Sequence, residues 1–229
     1  MPERSYRSRH HVPIIPWVIT LALLFSQPGS ALTPDFDHLF QLAQSRYGTT
    51  GLATIRSWET FLRQSKDRER PEIIERVNLF INNHVVYRDD QEIWSAQDYW
   101  ATPLETLGRG LGDCEDFAFA KYVSLQILGV PIEQMLMTYV RAKILDGSGK
   151  ARAHMVLSYY PDLNQEPLIL DSLTDEILPA SQRKDLFPIF SFNTQTIRVG
   201  GTSQPAADPM ARLSHWRDLM ARMGQERWQ

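Results

Sequence analysis

The spacing of the apolar residues changes along this chain, and that change is the feature that most constrains its fold. In segments 36–48, 52–62 and 74–81 the apolar residues recur every three or four positions, which places them on one face of a helix. Segments 136–144 and 151–160 have instead the composition of strands. Helices followed by strands with short turns predict the α+β class, with N-terminal helices packed on an antiparallel sheet.

The remaining segments extend this prediction over a single domain. A fourth helix is predicted from 113 to 129, because Pro131 beyond it favours a helix stop. Turn residues at 146–149 join the first two strands. Small residues at 200–209 form a predicted linker to an amphipathic C-terminal helix at 210–223. Further strands are predicted at 167–173, 187–192 and 196–199.

The first 31 residues have the pattern of an export signal. Arginines make the start basic, an apolar run follows at 17–25, and Gly29 and Ala31 supply the small residues of a cleavage site. The alternative is a membrane anchor, but a span needs about 20 apolar residues and this run is short. We therefore expect residues 1–31 to be a signal peptide and residues 32–229 to form one domain outside the cytoplasm.

The charge of the chain argues against a nucleic-acid partner. Its 229 residues carry a formal net charge of −3, and Lys and Arg do not cluster into the basic face that nucleic-acid binding requires. No apolar run after the signal is long enough to cross a bilayer. The mature chain is therefore expected not to span a membrane.

Cys114 is the only cysteine of the chain, so an intramolecular disulfide is impossible. It follows Asp113, a good N-cap residue, and so falls in the first turn of the predicted fourth helix. The free N–H groups and positive dipole end of a helix stabilise a thiolate there, and a lowered thiol pKa makes a cysteine nucleophilic. By count alone, however, a lone cysteine is more often buried and inert.

Three acidic residues surround this cysteine: Asp113, Glu115 and Asp116. Their charges oppose formation of a thiolate. One explanation is that they cap the helix and favour its dipole. The other is that they bind a hard cation, since carboxylates at a loop-to-helix junction are good calcium ligands. Spacing alone favours capping.

His154 and Asp171 lie in neighbouring predicted strands. A hairpin whose turn is centred between Asp162 and Leu163 would place the two directly opposite each other. An aspartate beside a histidine fixes the imidazole tautomer and leaves the other ring nitrogen for a thiol. Taken singly, each residue is at least as well explained by a structural role, but together with Cys114 they indicate a catalytic triad.

The other histidines and the tryptophans of the mature chain fit structural roles better. His84 is the main rival base, but its polar neighbours suggest a solvated loop. His38 and His215 fall within amphipathic helices. Trp216 on the tail helix, or the aromatic segment around Trp94, could dock a partner, although core packing is the commoner use of such residues.

Three sequence runs resemble the bacterial transglutaminase-like cysteine proteases of the LapG type: DYWATP at 98–103, GDCED at 112–116 and HMVL at 154–157. The similarity extends over roughly residues 36–178. It implies a papain-like, transglutaminase-like fold in which the nucleophile helix packs on an antiparallel sheet. The order of the cysteine, the histidine and the aspartate along the chain is also that of this family.

The resemblance implies a role for each candidate residue. Cys114 would be the nucleophile, His154 the base and Asp171 the acid that orients it. It also implies that calcium is required, with Asp113 and Glu115 as ligands, which reverses the preference for capping that spacing alone gives.

The resemblance also implies two partners and a location. The substrate would be the N-terminal region of a large cell-surface adhesin whose release controls biofilm attachment. An inner-membrane receptor for cyclic di-GMP would sequester the protease in the periplasm. Two alternatives stay open: a transglutaminase or amidase with the same triad, because the acyl-enzyme is common to all three reactions, and an inactive binding module.

Overall fold

The computed structural model describes residues 32–143, 151–199 and 214–228. The predicted signal peptide at 1–31, the predicted turn at 146–149 and the predicted linker at 200–209 lie outside these residues. Within them, no helix combines the length and the apolar character that crossing a membrane requires.

The described residues form helices first and mostly strands second, and the α+β prediction is confirmed. The helices are α1 (Phe36–Ser65), α2 (Arg70–His84), α3 (Asp90–Trp94), α4 (Pro103–Arg109), α5 (Cys114–Ile127) and α6 (Ser214–Gln225). The strands are β1 (Val86–Tyr87), β2 (Leu111–Gly112), β3 (Met135–Lys143), β4 (Ala151–Tyr159), β5 (Leu168–Leu170), β6 (Leu178–Pro179), β7 (Leu186–Phe192) and β8 (Ile197–Val199).

The helices pack on a six-stranded antiparallel sheet, whose strand order is β6-β5-β4-β3-β7-β8. Alternate side chains of the central strands, such as Met137 and Leu157, join the main hydrophobic core with the helices. The intervening residues, such as Val140 and Val156, form a smaller apolar cluster. The nucleophile helix α5 packs against β3 and β4 within this core, as predicted.

Helix α1 contains the break that the sequence predicts near Gly48. This glycine has φ of 68° and ψ of −160°, a backbone conformation outside the helical region that residues with a side chain rarely adopt. The two predicted helices therefore follow one another across a kink.

The predicted hairpin register between β4 and β5 is wrong by two residues. Leu157 pairs with Leu170 and Tyr159 pairs with Leu168, so His154 does not lie directly opposite Asp171. The physical reason is the connection, which is longer than a tight turn and is organised by hydrogen bonds from Asn164 and Gln165 to the carboxylate of Asp162. A shift of two residues keeps each side chain on its original face of the sheet.

Helix α6 packs into the core through Trp216, whose side chain is completely buried. Its ring contacts Phe119 of α5 at 5.4 Å and Phe192 of β7 at 5.2 Å, both edge to face. The suggestion that Trp216 docks a partner is therefore wrong. A buried aromatic residue between a helix and the sheet fixes α6 to the domain.

Candidate active site

Helix α5 begins at Cys114 with Asp113 as its N-cap, as predicted. The carboxylate of Asp116 in the first turn is fully buried and accepts backbone N–H groups from Ala101 at 2.7 Å and from Asp113 at 3.3 Å. A side chain at Gly112 would lie 2.9 Å from the Cβ atom of Asp116. The DYWATP run and the GDCED run are therefore joined directly, and together they set the position of the helix start.

The thiol of Cys114 faces both an acid and the sheet. Its Sγ atom donates to Oε2 of Glu115 at 3.0 Å, and the backbone N–H of Met155 on β4 hydrogen-bonds to it. Burial raises the pKa of Cys114 well above its usual range, and the charges of Glu115 and Asp113 raise it further. In the absence of a compensating positive charge, this thiol stays protonated at neutral pH.

His154, next to Met155 on β4, forms a buried pair with Asp171. Nε2 of His154 lies 2.7 Å from Oδ1 of Asp171, and the two residues are 3% and 1% exposed. An ionised carboxylate only accepts hydrogen bonds, so Nε2–H donates to it. This bond leaves Nδ1 as the ring nitrogen that can serve the thiol of Cys114.

Asp171 follows the end of β5, and two further groups hold its carboxylate. Oδ2 accepts Nη2 of Arg183 at 2.7 Å, and Oδ1 also accepts the backbone N–H of Leu173 at 3.1 Å. Burial alone would raise the pKa of Asp171, but the hydrogen bond and charge of His154, the N–H of Leu173 and the bond to Arg183 lower it to about 2. The carboxylate is therefore ionised over the whole physiological range.

The main chain of Asp171 is fixed from two helices. Its carbonyl oxygen accepts Nζ of Lys121 on α5 at 2.8 Å and Nδ2 of Asn82 on α2 at 3.1 Å. Lys121 is fully buried, and its pKa falls to about 7 because of its burial. The acid that binds His154 is thus tied to the helix that begins with Cys114.

A cluster of carboxylates lies beside Cys114. Oxygens of Asp90, Asp113 and Asp116 lie within 4.8 Å of one another, as do oxygens of Asp90, Asp98 and Glu115. Burial raises the pKa of Asp113 to about 10 and that of Glu115 to about 7. The charge of Glu115 adds to the shift of Asp113, and the charge of Asp116 adds to the shift of Glu115. Such a group is unstable as four or five anions unless a cation joins it.

The donor set fits a hard divalent cation. One oxygen of Asp90 and one of Asp113 are buried without a hydrogen-bond partner among the described residues. Asp116, in contrast, has its oxygens bound to backbone N–H groups and so caps the helix. Calcium takes six to eight oxygen ligands, and Asp90, Asp98, Asp113 and Glu115 can supply several of them.

The sequence did not identify every residue of this site. Asp90 is one of the polar neighbours of His84 that suggest a solvated loop, yet it is only 3% exposed. That interpretation is wrong because α3 folds Asp90 towards Asp113. Asp98 begins the DYWATP run, but nothing in that run indicates a metal ligand. No sequence pattern distinguishes Lys121 or Arg183, since their partners lie 50 and 12 residues away.

The histidines expected to be structural have other partners. His84 ends α2, where its ring stacks on Phe80 and its Nδ1 atom lies 2.8 Å from the Phe80 carbonyl oxygen. His38 donates its backbone N–H to the N-cap Asp35 of α1. His215 lies on α6, 3.5 Å from Asp98.

A thiol at the start of a buried helix, beside a strand that carries a histidine bound to an aspartate, defines a cysteine hydrolase of the papain-like kind. The family model of the bacterial transglutaminase-like cysteine proteinases (BTLCP) matches residues 56–187, more than half of the chain. The chain belongs to this family and is a cysteine protease.

Solved structures agree with this assignment. The structure of Legionella pneumophila LapG treated with EGTA shares 38% sequence identity with the chain, covers 83% of it and 100% of its own length, and superposes with a TM-score of 0.71. Calcium-bound LapG from the same organism has the same identity, covers 82% of this chain and 98% of its own, and superposes with a TM-score of 0.69. No curated protein matches the chain significantly.

Proposed function

We propose that this protein is a periplasmic, calcium-dependent cysteine endopeptidase that cuts the N-terminal region of a large cell-surface adhesin and thereby controls biofilm attachment. Cys114 is the nucleophile, His154 the base and Asp171 the residue that orients the base. The observation that carries the proposal is the buried 2.7 Å contact of His154 with Asp171, since His154 lies on β4 next to Met155, whose N–H binds Cys114.

The geometry supports acyl transfer in two halves. His154 takes the thiol proton through Nδ1 while Nε2–H stays bound to Asp171. The Cys114 thiolate attacks the scissile carbonyl, and the imidazolium then protonates the leaving amine. A water molecule then gives a proton to the same imidazole and attacks the thioester. The new carboxylate is released, and the imidazolium returns the proton to the thiolate of Cys114.

The start of α5 can stabilise the oxyanion of both tetrahedral intermediates. Cys114 is the first helical residue, and the first N–H groups of a helix have no partner within the helix. These donors are fixed before the reaction by the contacts of Asp116 with Ala101 and Asp113. Fixed donors at the point where charge develops are an effective form of transition-state stabilisation.

Calcium is the proposed resident ion, held by Asp113 and Glu115 together with Asp90 and Asp98. When bound, it supplies positive charge that offsets the carboxylates beside the thiol. Two observations support this assignment: the partnerless buried oxygens of Asp90 and Asp113, and the similarity to a LapG whose structure is calcium-bound.

The location and partners follow from two features of the sequence. The pattern of residues 1–31 supports export to the periplasm. The similarity to LapG supports the N-terminal region of a large adhesin as substrate and the periplasmic domain of an inner-membrane cyclic di-GMP receptor as inhibitor. No nucleic acid is expected among the partners.

The test uses residues 32–229 and a Cys114→Ala control. Both are incubated with the N-terminal region of a large adhesin from the same genome, in calcium and in a calcium chelator, and the products are identified by mass spectrometry. The periplasmic domain of the receptor is then added in excess. We expect one defined cut that requires Cys114 and calcium and that the receptor domain suppresses.

Other outcomes discriminate between the alternatives. Incorporation of a primary amine into glutamine residues, without cleavage, would indicate a transglutaminase. A cut that persists in chelator would keep the protease but return Asp113 and Glu115 to helix capping. Receptor binding without any cleavage, even with calcium, would indicate an inactive binding module.

A further inference from the structure

Arg183 is buried and contacts the catalytic acid Asp171. It follows a short 3₁₀ turn at Ala180–Gln182 and precedes β7. Its side chain is 7% exposed. Nη2 donates to Oδ2 of Asp171 at 2.7 Å and to Oδ2 of Asp185 at 2.8 Å, while Nε donates to Oδ1 of Asp185 at 3.0 Å. The guanidinium thus bridges two carboxylates.

The contact with Arg183 fixes the orientation of the Asp171 carboxylate as well as its charge. Each carboxylate oxygen of Asp171 has a defined partner: Oδ1 faces His154 and Leu173, and Oδ2 faces Arg183. A carboxylate bound at both oxygens cannot rotate about its terminal bond without breaking one of these contacts. The plane of Asp171, and with it the direction of the bond to His154, therefore depends on Arg183.

We propose that Arg183 is a positioning residue for the proteolytic reaction, acting through Asp171 on the orientation and charge of His154. This inference rests on the proposed protease function and on the roles of Cys114, His154 and Asp171. It assigns the triad a fourth member that does not touch the substrate.

The sign of the electrostatic effect follows from the charges around Asp171. Lys121 on α5 and Arg183 are the cations that face it, while Asp185 beside β7 and Asp175 beyond β5 are the nearby anions. The Arg183 cation offsets part of the Asp171 charge that supports the imidazolium of His154. Removing this cation leaves more of the Asp171 charge to support the imidazolium, so a loss of kcat in Arg183→Met would report lost orientation of Asp171 rather than lost charge.

The bridge also makes a prediction about an amide at position 171. An asparagine has one acceptor oxygen and one NH₂ donor group. If the amide oxygen faces His154, the NH₂ group faces the Nη2–H of Arg183, and two donors oppose each other. If the amide is rotated by 180°, the NH₂ group opposes the Nε2–H of His154 instead. Asp171→Asn is therefore expected to lose less activity when Arg183 is replaced as well.

The experiment compares Arg183→Met, Arg183→Lys, Asp185→Asn, Asp171→Asn and the double variant Arg183→Met/Asp171→Asn in residues 32–229. The substrate is the adhesin N-terminal region, at saturating calcium and below the thermal midpoint of every variant. For Arg183→Met we expect kcat to fall about 10- to 100-fold, the size of loss seen when a residue that orients a metal ligand by a hydrogen bond is replaced, with KM nearly unchanged. Arg183→Lys should recover part of kcat.

Asp185→Asn is the matched control for a merely structural role. It weakens the ion pair of Arg183 with Asp185, whose side chain is 38% exposed, but leaves the bond from Arg183 to Asp171. Positioning predicts that Asp185→Asn keeps most of kcat even if its thermal midpoint falls. Equal losses of kcat in Asp185→Asn and Arg183→Met would overturn the inference, and so would strictly multiplicative losses in the double variant.

The result also separates this inference from the proposed function. Active wild-type protein with an equally active Arg183→Met variant would reject the positioning role and keep the protease. An inactive wild-type protein would reject the proposed substrate instead. Alkylation of Cys114 by iodoacetamide then still tests Arg183, because positioning predicts a changed rate in Arg183→Met and an unchanged rate in Asp185→Asn.

Discussion

The ammonium group of Lys121 lies 2.8 Å from the carbonyl oxygen of Asp171, in a part of the core from which water is excluded. Lys121 is two helical turns beyond Cys114 on α5, so this bond links the nucleophile helix with the end of β5. A fully buried lysine is rare unless it is paired. Here the pairing places two parts of the proposed triad in a fixed relation.

The first prediction concerns the pH dependence of stability. Burial lowers the pKa of Lys121 from its usual value of 10.5 to about 7. Between these values the unfolded chain binds a proton that the folded chain does not, so stability rises with pH through this window and is independent of this group below it. Relative to Lys121→Met, the wild type should gain at most about 1.4 kcal/mol per pH unit.

Urea unfolding at a series of pH values from neutral to alkaline measures this difference. Lys184→Met is the matched control, because Lys184 is exposed and should leave the slope unchanged. A parallel pH dependence in Lys121→Met and the wild type would show that Lys121 keeps its proton throughout the window.

The second prediction concerns the reactivity of the thiol. Glu115 and Asp113 help to hold the pKa of Cys114 well above its usual range, and a cation bound to them would lower it. Each unit of decrease raises the thiolate fraction about tenfold. Calcium should therefore accelerate alkylation of Cys114 by iodoacetamide near neutral pH by about tenfold or more.

Because Cys114 is the only cysteine, the intact mass of the protein reports its alkylation directly. The comparison is between calcium and chelator in the wild type and in Glu115→Gln. The variant should react faster than the wild type in chelator and respond less to calcium. If the alkylation rate of the wild type does not change with calcium, the ion does not affect the thiol of Cys114.

The third prediction concerns the ligands of the ion. At about 100 times its dissociation constant, calcium should stabilise the fold by about 2.7 kcal/mol and raise the thermal midpoint by about 5 to 10 °C. Asp113→Asn and Asp90→Asn should lose most of this increase. Asp89→Asn should retain it, since Asp89 is exposed and belongs to none of the carboxylate groups that could hold an ion within the described residues.

Differential scanning calorimetry with and without calcium tests the third prediction. Magnesium serves as a control ion, because its small, rigid octahedral shell suits a cluster of this kind less well. An unchanged midpoint shift in Asp90→Asn would remove Asp90 from the ligand set and leave the pair expected from the sequence, Asp113 and Glu115.

The fourth prediction concerns the contact between α1 and α4 behind the site. A Cβ atom at Gly51 would lie 2.3 Å from Cβ of Tyr47 and 2.7 Å from the carbonyl oxygen of Gly108. Gly51→Ala should therefore destabilise the protein by about 1 to 3 kcal/mol. Gly224→Ala is the control: it has open space on α6 and should stabilise by about 0.4 to 1 kcal/mol. Urea midpoints of the two variants decide the prediction, and equal effects would contradict it.

The helices and strands that could be predicted are those whose bounds are set by residues a few positions away. Asp113 and Pro131 enclose α5 because capping and chain stiffness act over a few residues. Helix α4 also had a readable signal, the capping box of Thr102 with Glu105, but it lies in an aromatic segment with no clear period. The register of β5 could not be predicted, since it depends on how Asp162 folds the connection before it.

Some residues of the candidate site could be predicted from the sequence and others could not. Cys114, His154 and Asp171 could be proposed because each stands out within its own segment, as an acid or a base among apolar neighbours or as a thiol at a helix start. Lys121 and Asp90 could not, because nothing near them in the sequence explains their burial. Their partners are brought to them by the tertiary fold, which short-range patterns do not contain.

Helix α6 has a consequence for the order in which the chain can fold. Arg222 binds the carbonyl oxygen of Trp100, and Glu226 accepts the hydroxyl of Thr102 at 3.0 Å, across 124 residues of sequence. These contacts hold the segment whose Ala101 N–H binds Asp116 at the start of α5. A ribosome makes residues 214–228 after every other described segment, so a growing chain lacks this support for the start of α5 until synthesis has passed α6.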